Sequence, residues 1–374
     1  MTTALVLTGG GARVAYQVGV LKGIANILPR TAYNPFPIIT GTSAGAINAM
    51  AIAGRPGPFR LRIRKLETIW SNLRAENIYR TDIRGVSANA WRILTSLFGS
   101  NQSGRSVSFL DNSPLRELLN NYVKFKHLET AIENRELQGI AVTAINYASG
   151  RSVTFYQGHS GLEDWSRARR EGVAVDIDID HLMASAAIPS LFPAVKIDGN
   201  YYGDGALRQL KPISPALHLG AKKILTIGVS HSATTQGGKN QPPPSIAAII
   251  GHMLNSAFTD AMESDLETLH SINKLTAEIH QSQRDTVDAT QFNPIDVMSI
   301  APSESINQIA SQYLKELPRS LRLLLTPMGV DGDVGETNAA SYLLFEPGFC
   351  RHLIKLGYRD AMDQSLGIRK FFEF

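Results

Sequence analysis

Gly41-Thr42-Ser43-Ala44-Gly45 places a serine among small residues directly after the apolar run Pro37-Ile38-Ile39. A serine on a tight turn between a strand and a helix is pushed into strained backbone angles, and glycine two residues to either side leaves room for that turn. The helix expected from Ala44 through Ile47, Met50 and Ile52 aims its first amides at the same point. Ser43 is therefore the candidate nucleophile for acyl transfer. A Gly/Ser/Ala-rich turn serves equally as plain loop or as close helix packing, so the motif gains force only from its neighbours.

The first neighbour is Gly9-Gly10-Gly11-Ala12-Arg13, between the apolar run Ala4-Leu5-Val6-Leu7-Thr8 and an apolar segment from Val14 to Leu28. This reads as strand, glycine turn, helix. Without side chains, successive N–H groups of Gly9, Gly10 and Gly11 can converge on a phosphate or an oxyanion at a positively polarised helix start. A dinucleotide-binding turn needs a third glycine where Val14 stands, and an acidic residue about twenty positions on. No Asp or Glu occurs before Glu67, which leaves an oxyanion hole as the better use of these amides. Arg13 in the first helical turn opposes the helix dipole, which suits either phosphate or substrate binding or a solvent-facing position.

The third piece is Asp204-Gly205-Ala206, after a small-residue and proline-rich stretch from Met183 to Val195. Alone, an Asp-Gly pair is a turn signal, as Asp198-Gly199 and Asp331-Gly332 illustrate. Taken in order, however, the glycine loop, Gly41 to Gly45, Ala184 to Pro193 and Asp204 to Ala206 resemble the blocks of the patatin-like phospholipase family. Together they span about residues 4 to 230. Val14 departs from a glycine common in the first block, and Leu210 from an asparagine that many members carry after the aspartate.

The resemblance implies a three-layer α/β sandwich with a mainly parallel central sheet, to which helical periodicity in the remaining third adds a mostly helical C-terminal extension. It implies a dyad in which Ser43 attacks an ester carbonyl and Asp204 takes its proton, with Gly9 to Gly11 as oxyanion hole and no histidine between. None of the nine histidines sits in a stretch that looks like a triad loop. An ordinary aspartate, with a pKa of about 3.9, is a weak base at neutral pH. Desolvation against Tyr201, Tyr202 and the Ile188 to Phe192 run would raise it. The substrate class implied is a phospholipid or lysophospholipid, with no cofactor and no metal. Transfer of the acyl group to an acceptor other than water uses the same residues, and a non-catalytic lipid- or phosphate-binding module remains a third reading.

A chain of 374 residues, 43% apolar, can bury a substantial core. One cysteine, Cys350, excludes an intramolecular disulfide framework, and a cytoplasmic location is expected, including the inner membrane face as a peripheral site. No apolar run reaches the length of a membrane span. The net charge of +4 is uneven, since the first 66 residues carry no acid. Arg55, Arg60, Arg62, Arg64 and Lys65 either meet an anionic lipid surface or form a solvated face on a packed helix. No nucleic-acid motif accompanies the charge, and a homo-oligomer is compatible with the sequence.

Apolar runs alternating with helix-period segments place the glycine turns at strand C-terminal ends, where open α/β sheets bind ligands. Helices are expected over Phe59 to Leu73 and Leu110 to Val123, a hairpin over Gly139 to Tyr156, and a strand over Lys222 to Val229. Ser87 to Arg105 reads either as a cap or lid with acyl-binding side chains or as a packing helix and loop. Residues 4 to 230 are taken as the catalytic domain, 231 to 245 as a linker ending in Pro242-Pro243-Pro244, and 246 to 374 as a mostly helical region. In that last region helices are expected over Ile246 to Leu275, Ser303 to Leu325 and Phe349 to Asp363, with an edge strand near Val297 to Ile300.

Overall fold

The computed structural model describes residues 2–80, 108–231, 245–282, 294–325 and 337–373. Segments 81–107 and 232–244, which hold the expected cap and most of the expected linker, lie outside the described residues.

Strand β1 (Thr3–Leu7) is fully buried and pairs in parallel with β2 (Ile38–Thr42). Burial on both faces is what a continuous apolar run predicts for the centre of a parallel sheet. The next strands are β3 (Gly139–Asn146), β4 (Ser152–Gly158), β5 (Trp165–Arg167), β6 (Arg170–Ala174), β7 (Val195–Ile197), β8 (Asn200–Asp204), β9 (Lys223–Ile227) and β10 (Asp296–Ile300). The sheet order is β10-β9-β1-β2-β3-β4-β6-β5, with β8 on β3 and β7 on β8. From β10 to β3 every pairing is parallel. The expected hairpin is present as antiparallel β3 and β4.

Helices cover both faces. Leu5 and Leu7 face a core shared with α1 (Ala15–Ile27), α2 (Ala44–Ala53), α3 (Phe59–Asn72) and the helix Pro347–Asp363. Ala4 and Val6 face the opposite core with Ala216, Met262 and Leu269. The fold is thus a three-layer α/β sandwich. The edge strand expected near Val297 is β10, which extends the sheet beside β9, so the C-terminal third is built into the same sheet. The helix expected over Ser303 to Leu325 is split into Ile306–Ser311 and Arg319–Leu325, because Pro318 lacks the N–H that would continue the ladder. Arg62 leaves the expected basic face: it is buried, donating to the Gly57 and Ile52 carbonyls and pairing with Glu136 at 2.8 Å.

Helix α1 and helix Pro347–Asp363 cross where glycine permits backbone contact. A Cβ on Gly19 would collide with the Ile354 carbonyl, and one on Gly357 with the Tyr16 carbonyl. Overpacking of this kind costs about 1–3 kcal/mol. Gly19→Ala and Gly357→Ala are each expected to lower the unfolding free energy by that amount and with it the urea midpoint, and an unchanged midpoint in both would show that the crossing is not close-packed.

Candidate active site

The β-sheet register brings the two candidate dyad residues together. Strand β3 offers two edges, and β4 occupies one of them as far as the Ile145–Ser152 pair. On the other edge, β2 pairs up to Thr42 opposite Thr143, and antiparallel β8 takes over at the next residue, with Ala144 opposite Asp204. The C-terminal ends of β2 and β8 therefore meet head to head. Ser43 leaves one strand where Asp204 ends the other. A tight turn sets the approach of β8: Asp198 and Gly199 both have positive φ, 46° and 84°, as a two-residue hairpin turn between β7 and β8 requires.

Ser43 has φ 56° and ψ −133°, a conformation that costs a non-glycine residue on the order of 1–3 kcal/mol. Its surroundings hold it there. The Ser43 N–H donates to Ser185 Oγ at 2.8 Å, and Ser185 Oγ donates to the Thr143 carbonyl at 2.6 Å. The flanking glycines are required by space: a Cβ on Gly41 would strike Ala46, and one on Gly45 the Leu7 and Thr8 carbonyls. A Cβ on Gly9 would lie 2.8 Å from the Ser43 Cβ. Gly11, with φ 54°, passes so close to the Tyr342 carbonyl that it has no room for a side chain.

Asp204 is 1% exposed. Its N–H donates to the Ala187 carbonyl at 2.9 Å, and its Oδ1 accepts from the Ala206 N–H at 3.0 Å. Among the described residues no group meets its buried Oδ2 with hydrogen-bond geometry, while the Ser43 hydroxyl is near enough to favour the charged carboxylate. Burial dominates and pushes the Asp204 carboxyl up to about 7, against the smaller opposing pulls of Ser43 and the Ala206 amide. No histidine is among the groups acting on it. Of the two tyrosines expected to desolvate it, Tyr202 is buried, but Tyr201 points to the other face of β8 and is 42% exposed.

Ser43 and Gly11 open onto an apolar cleft enclosing about 750 Å³, part of it open to solvent, walled by Ile47, Leu66, Trp70, Leu119, Ile188 and Phe192. Arg13 does not reach it as a ligand for substrate. It is 1% exposed, which also excludes the solvent-facing alternative. Its Nε donates to Ser341 Oγ at 2.8 Å, its two terminal nitrogens donate to Asn307 at 2.7 Å and Asn255 at 3.4 Å, and its guanidinium lies 3.9 Å from the Tyr342 ring centre. A buried guanidinium needs such a full set of acceptors, and here the C-terminal region supplies them.

Four supporting residues were not singled out in the sequence. Ser185 lies within the recognised Ala184 to Pro193 block and carried a signal. Gln209, which meets the Thr42 hydroxyl and donates to Thr143 Oγ1 at 3.1 Å, carried none. Phe258 and Tyr342, stacked with ring centres 5.3 Å apart, close over the glycine loop from a distant part of the chain. Among the described residues no cluster of His, Cys, Asp and Glu is arranged to hold a metal, and no helix is long and apolar enough to cross a membrane.

A family profile for patatin-like phospholipases matches residues 5–217, more than half of the sequence. The chain belongs to the patatin-like phospholipase family. It is 26% identical over 245 residues to a cGAMP-activated phospholipase of Pseudomonas aeruginosa, an alignment covering 63% of this chain and 64% of that one. The chain thus matches just under two thirds of that relative's length. Among solved structures, VipD from Legionella pneumophila aligns at 12% identity and TM-score 0.35, covering 98% of this chain and 67% of that one. Human GIVD cytosolic phospholipase A2 in complex with methyl gamma-linolenyl fluorophosphonate aligns at 11% identity and TM-score 0.39, covering 100% and 59%.

The raised Asp204 pKa fixes the sign of a stability effect. The folded chain keeps this proton up to about pH 7, whereas the unfolded chain loses it near 3.8. The associated stability is fully present below pH 3.8 and is lost as pH rises through 7. A shift of about 3 units corresponds to about 4 kcal/mol at most. Asp204→Asn, which keeps an acceptor for Ala206, is expected to gain stability over the parent by up to that amount on going from pH 4 to pH 8. Equal urea midpoint differences at the two pH values would contradict the buried, proton-holding carboxyl.

Proposed function

We propose that this protein is a lipid acyl hydrolase of phospholipase A or lysophospholipase type, working through a Ser43–Asp204 dyad. The observation that carries this reading is a strained serine beside a buried carboxylate oxygen that makes no other bond, in the wall of an apolar cleft. Ser43 Oγ attacks the ester carbonyl carbon, and its proton passes to Asp204 Oδ2. A carboxyl poised near 7 is matched to that transfer at neutral pH. The negative charge on the carbonyl oxygen of the tetrahedral intermediate is met by the Gly9 to Gly11 backbone amides and the start of α2. As the carbonyl reforms, the ester C–O bond breaks and the leaving alcohol takes the proton from Asp204. Water then attacks the acyl-serine, giving its proton to Asp204, and Ser43 regains a proton as the fatty acid leaves.

The apolar cleft suits an acyl chain. It lies on the α2 side of the sheet with Ser43 in its wall, so a bound chain would present its carboxyl carbon to the nucleophile. Membrane contact would run through the exposed basic residues Arg60, Arg64 and Lys65, with Arg62 withdrawn into the fold.

A fluorophosphonate probe is expected to label the parent protein and not Ser43→Ala. Fatty-acid release from phosphatidylcholine and lysophosphatidylcholine should fall at least ~10³-fold in Ser43→Ala and in Asp204→Asn. The P. aeruginosa relative is described as activated by cGAMP, so both assays are run with and without it. Release in neither condition, with no labelling, would favour the non-catalytic binding module. In the active enzyme kcat/KM should rise with pH through about 7 and level off above it, because the base acts deprotonated. Leu119→Phe, narrowing the cleft, should shift preference toward shorter acyl chains, each methylene excluded being worth about 0.8 kcal/mol. An unaltered chain-length profile would place the acyl group elsewhere.

A further inference from the structure

A second cleft lies on the opposite side of the sheet, beside the helix Ser214–His218, enclosing about 790 Å³ including open solvent. Its walls carry Arg169, Arg170, Arg208 and Lys211, the hydroxyl residues Ser152, Thr154 and Ser214, and no carboxylate. Among the described residues only Lys211 of the four cations has an acidic partner, Asp265 at 3.2 Å. The Nε atoms of Arg170 and Arg208 are buried and meet no hydrogen-bond acceptor among the described residues. Buried donors are nearly always satisfied, so two unsatisfied guanidinium nitrogens at one cleft call for an acceptor that the described residues do not supply. The positive field is felt nearby. His218 is held below its usual pKa by burial and then by Arg167 and Arg170.

We propose that this cleft binds a phosphate group of a phosphorylated ligand. Planar guanidinium forks match the oxygens of phosphate in paired hydrogen bonds, which a single carboxylate-sized charge would leave partly unused. The space also exceeds what a bare inorganic ion fills. Lysine and hydroxyl donors complete a mixed set of charged and neutral contacts, and the carboxylate nearest these cations among the described residues, Asp265 on Lys211, lies outside the lining. The cleft is chemically separate from the acyl cleft, whose walls are apolar. It is nonetheless tied to the strand ends beneath Ser43. Thr154 Oγ1 meets Thr143 Oγ1 at 3.1 Å, Gln209 donates to that same Thr143 hydroxyl, and Gln209 also meets Thr42. A ligand that moved Arg208 would therefore pull on Gln209, the next residue in the chain.

The test is direct binding by the full chain of three probes: inorganic phosphate, 3′,5′-cyclic AMP, and phosphatidylglycerol vesicles. Isothermal titration serves for the soluble probes and sedimentation for the vesicles. Saturable, salt-sensitive binding of at least one probe is expected, weakened at least ~10-fold in Arg170→Ala and in Arg208→Ala, since each removes a charge-assisted donor. Lys196→Ala, an exposed change on β7, should bind as the parent does. Binding of phosphate or cyclic AMP assigns a soluble phosphate ligand, whereas binding of vesicles alone assigns a lipid headgroup. Should the half-buried arginine variants fail to fold, exposed Arg169→Ala carries the test with a loss of at least ~3-fold. No saturable binding of any probe, or binding that all these arginine variants retain in full, overturns the proposal.

Discussion

Everything at the proposed dyad depends on backbone segments that touch without side chains between them. Gly41 lies against Ala46, Gly45 against the Leu7 and Thr8 carbonyls, and Gly9 against Ser43. This contact lets β1, β2 and α2 converge within one turn of chain, and it holds Ser43 in a conformation that an isolated serine would leave. The strain is offset by the surrounding packing, since the Ser43 amide is fixed by Ser185 and α2 is almost wholly buried. A methyl group at any of these glycines would separate the strand ends before it touched any bound molecule. The glycines are thus mechanical parts, and their chemical role at an oxyanion follows from the same lack of bulk.

The electrostatics follow from the geometry. Because β8 meets β2 end to end on one edge of β3, Asp204 is sealed inside the sheet's end and is withdrawn from bulk solvent. Desolvation then lifts its pKa to about 7, outweighing the pull of the Ala206 amide and the Ser43 hydroxyl. A fully hydrogen-bonded carboxylate in the same place would be a weaker base, since each further donor stabilises the charged form. The bare Oδ2 is what keeps Asp204 basic, and the cost of burying it is the counterpart of that basicity.

Much of this was legible in the sequence, for reasons that differ by element. Apolar runs ending in glycine turns located β1 and β2, because a buried parallel strand and a close backbone contact both leave compositional marks. The Asp204 block was readable only through its order after the other blocks, since an Asp-Gly pair by itself marks any turn. The short strands β5 to β7 escaped notice, being three to five residues long with mixed exposure and no sustained alternation. The partners of Arg13 were not legible, because a charged residue in a first helical turn gives no local sign of acceptors more than 240 positions away. The same holds for Gln209, whose partners Thr42 and Thr143 become neighbours only once the sheet is assembled.

Those distant acceptors bear on how the chain is divided. The family match ends at residue 217, yet Phe258 packs against Gly9, the Tyr342 carbonyl abuts Gly11, and Arg13 is held by Asn255, Asn307 and Ser341. Phe258 lies in a single π-turn, Ser256–Asp260, joining two α-helical stretches, and such turns re-aim side chains that regular helix geometry would misplace. The C-terminal region also donates β10 to the sheet and the helix that crosses α1 through Gly357. Removing it would leave a buried guanidinium without its acceptors and uncover the glycine loop. The last third of the chain therefore sets the shape of the loop on which the proposed oxyanion hole depends, and any signal that shifts the 245–282 segment would reach that loop through Phe258.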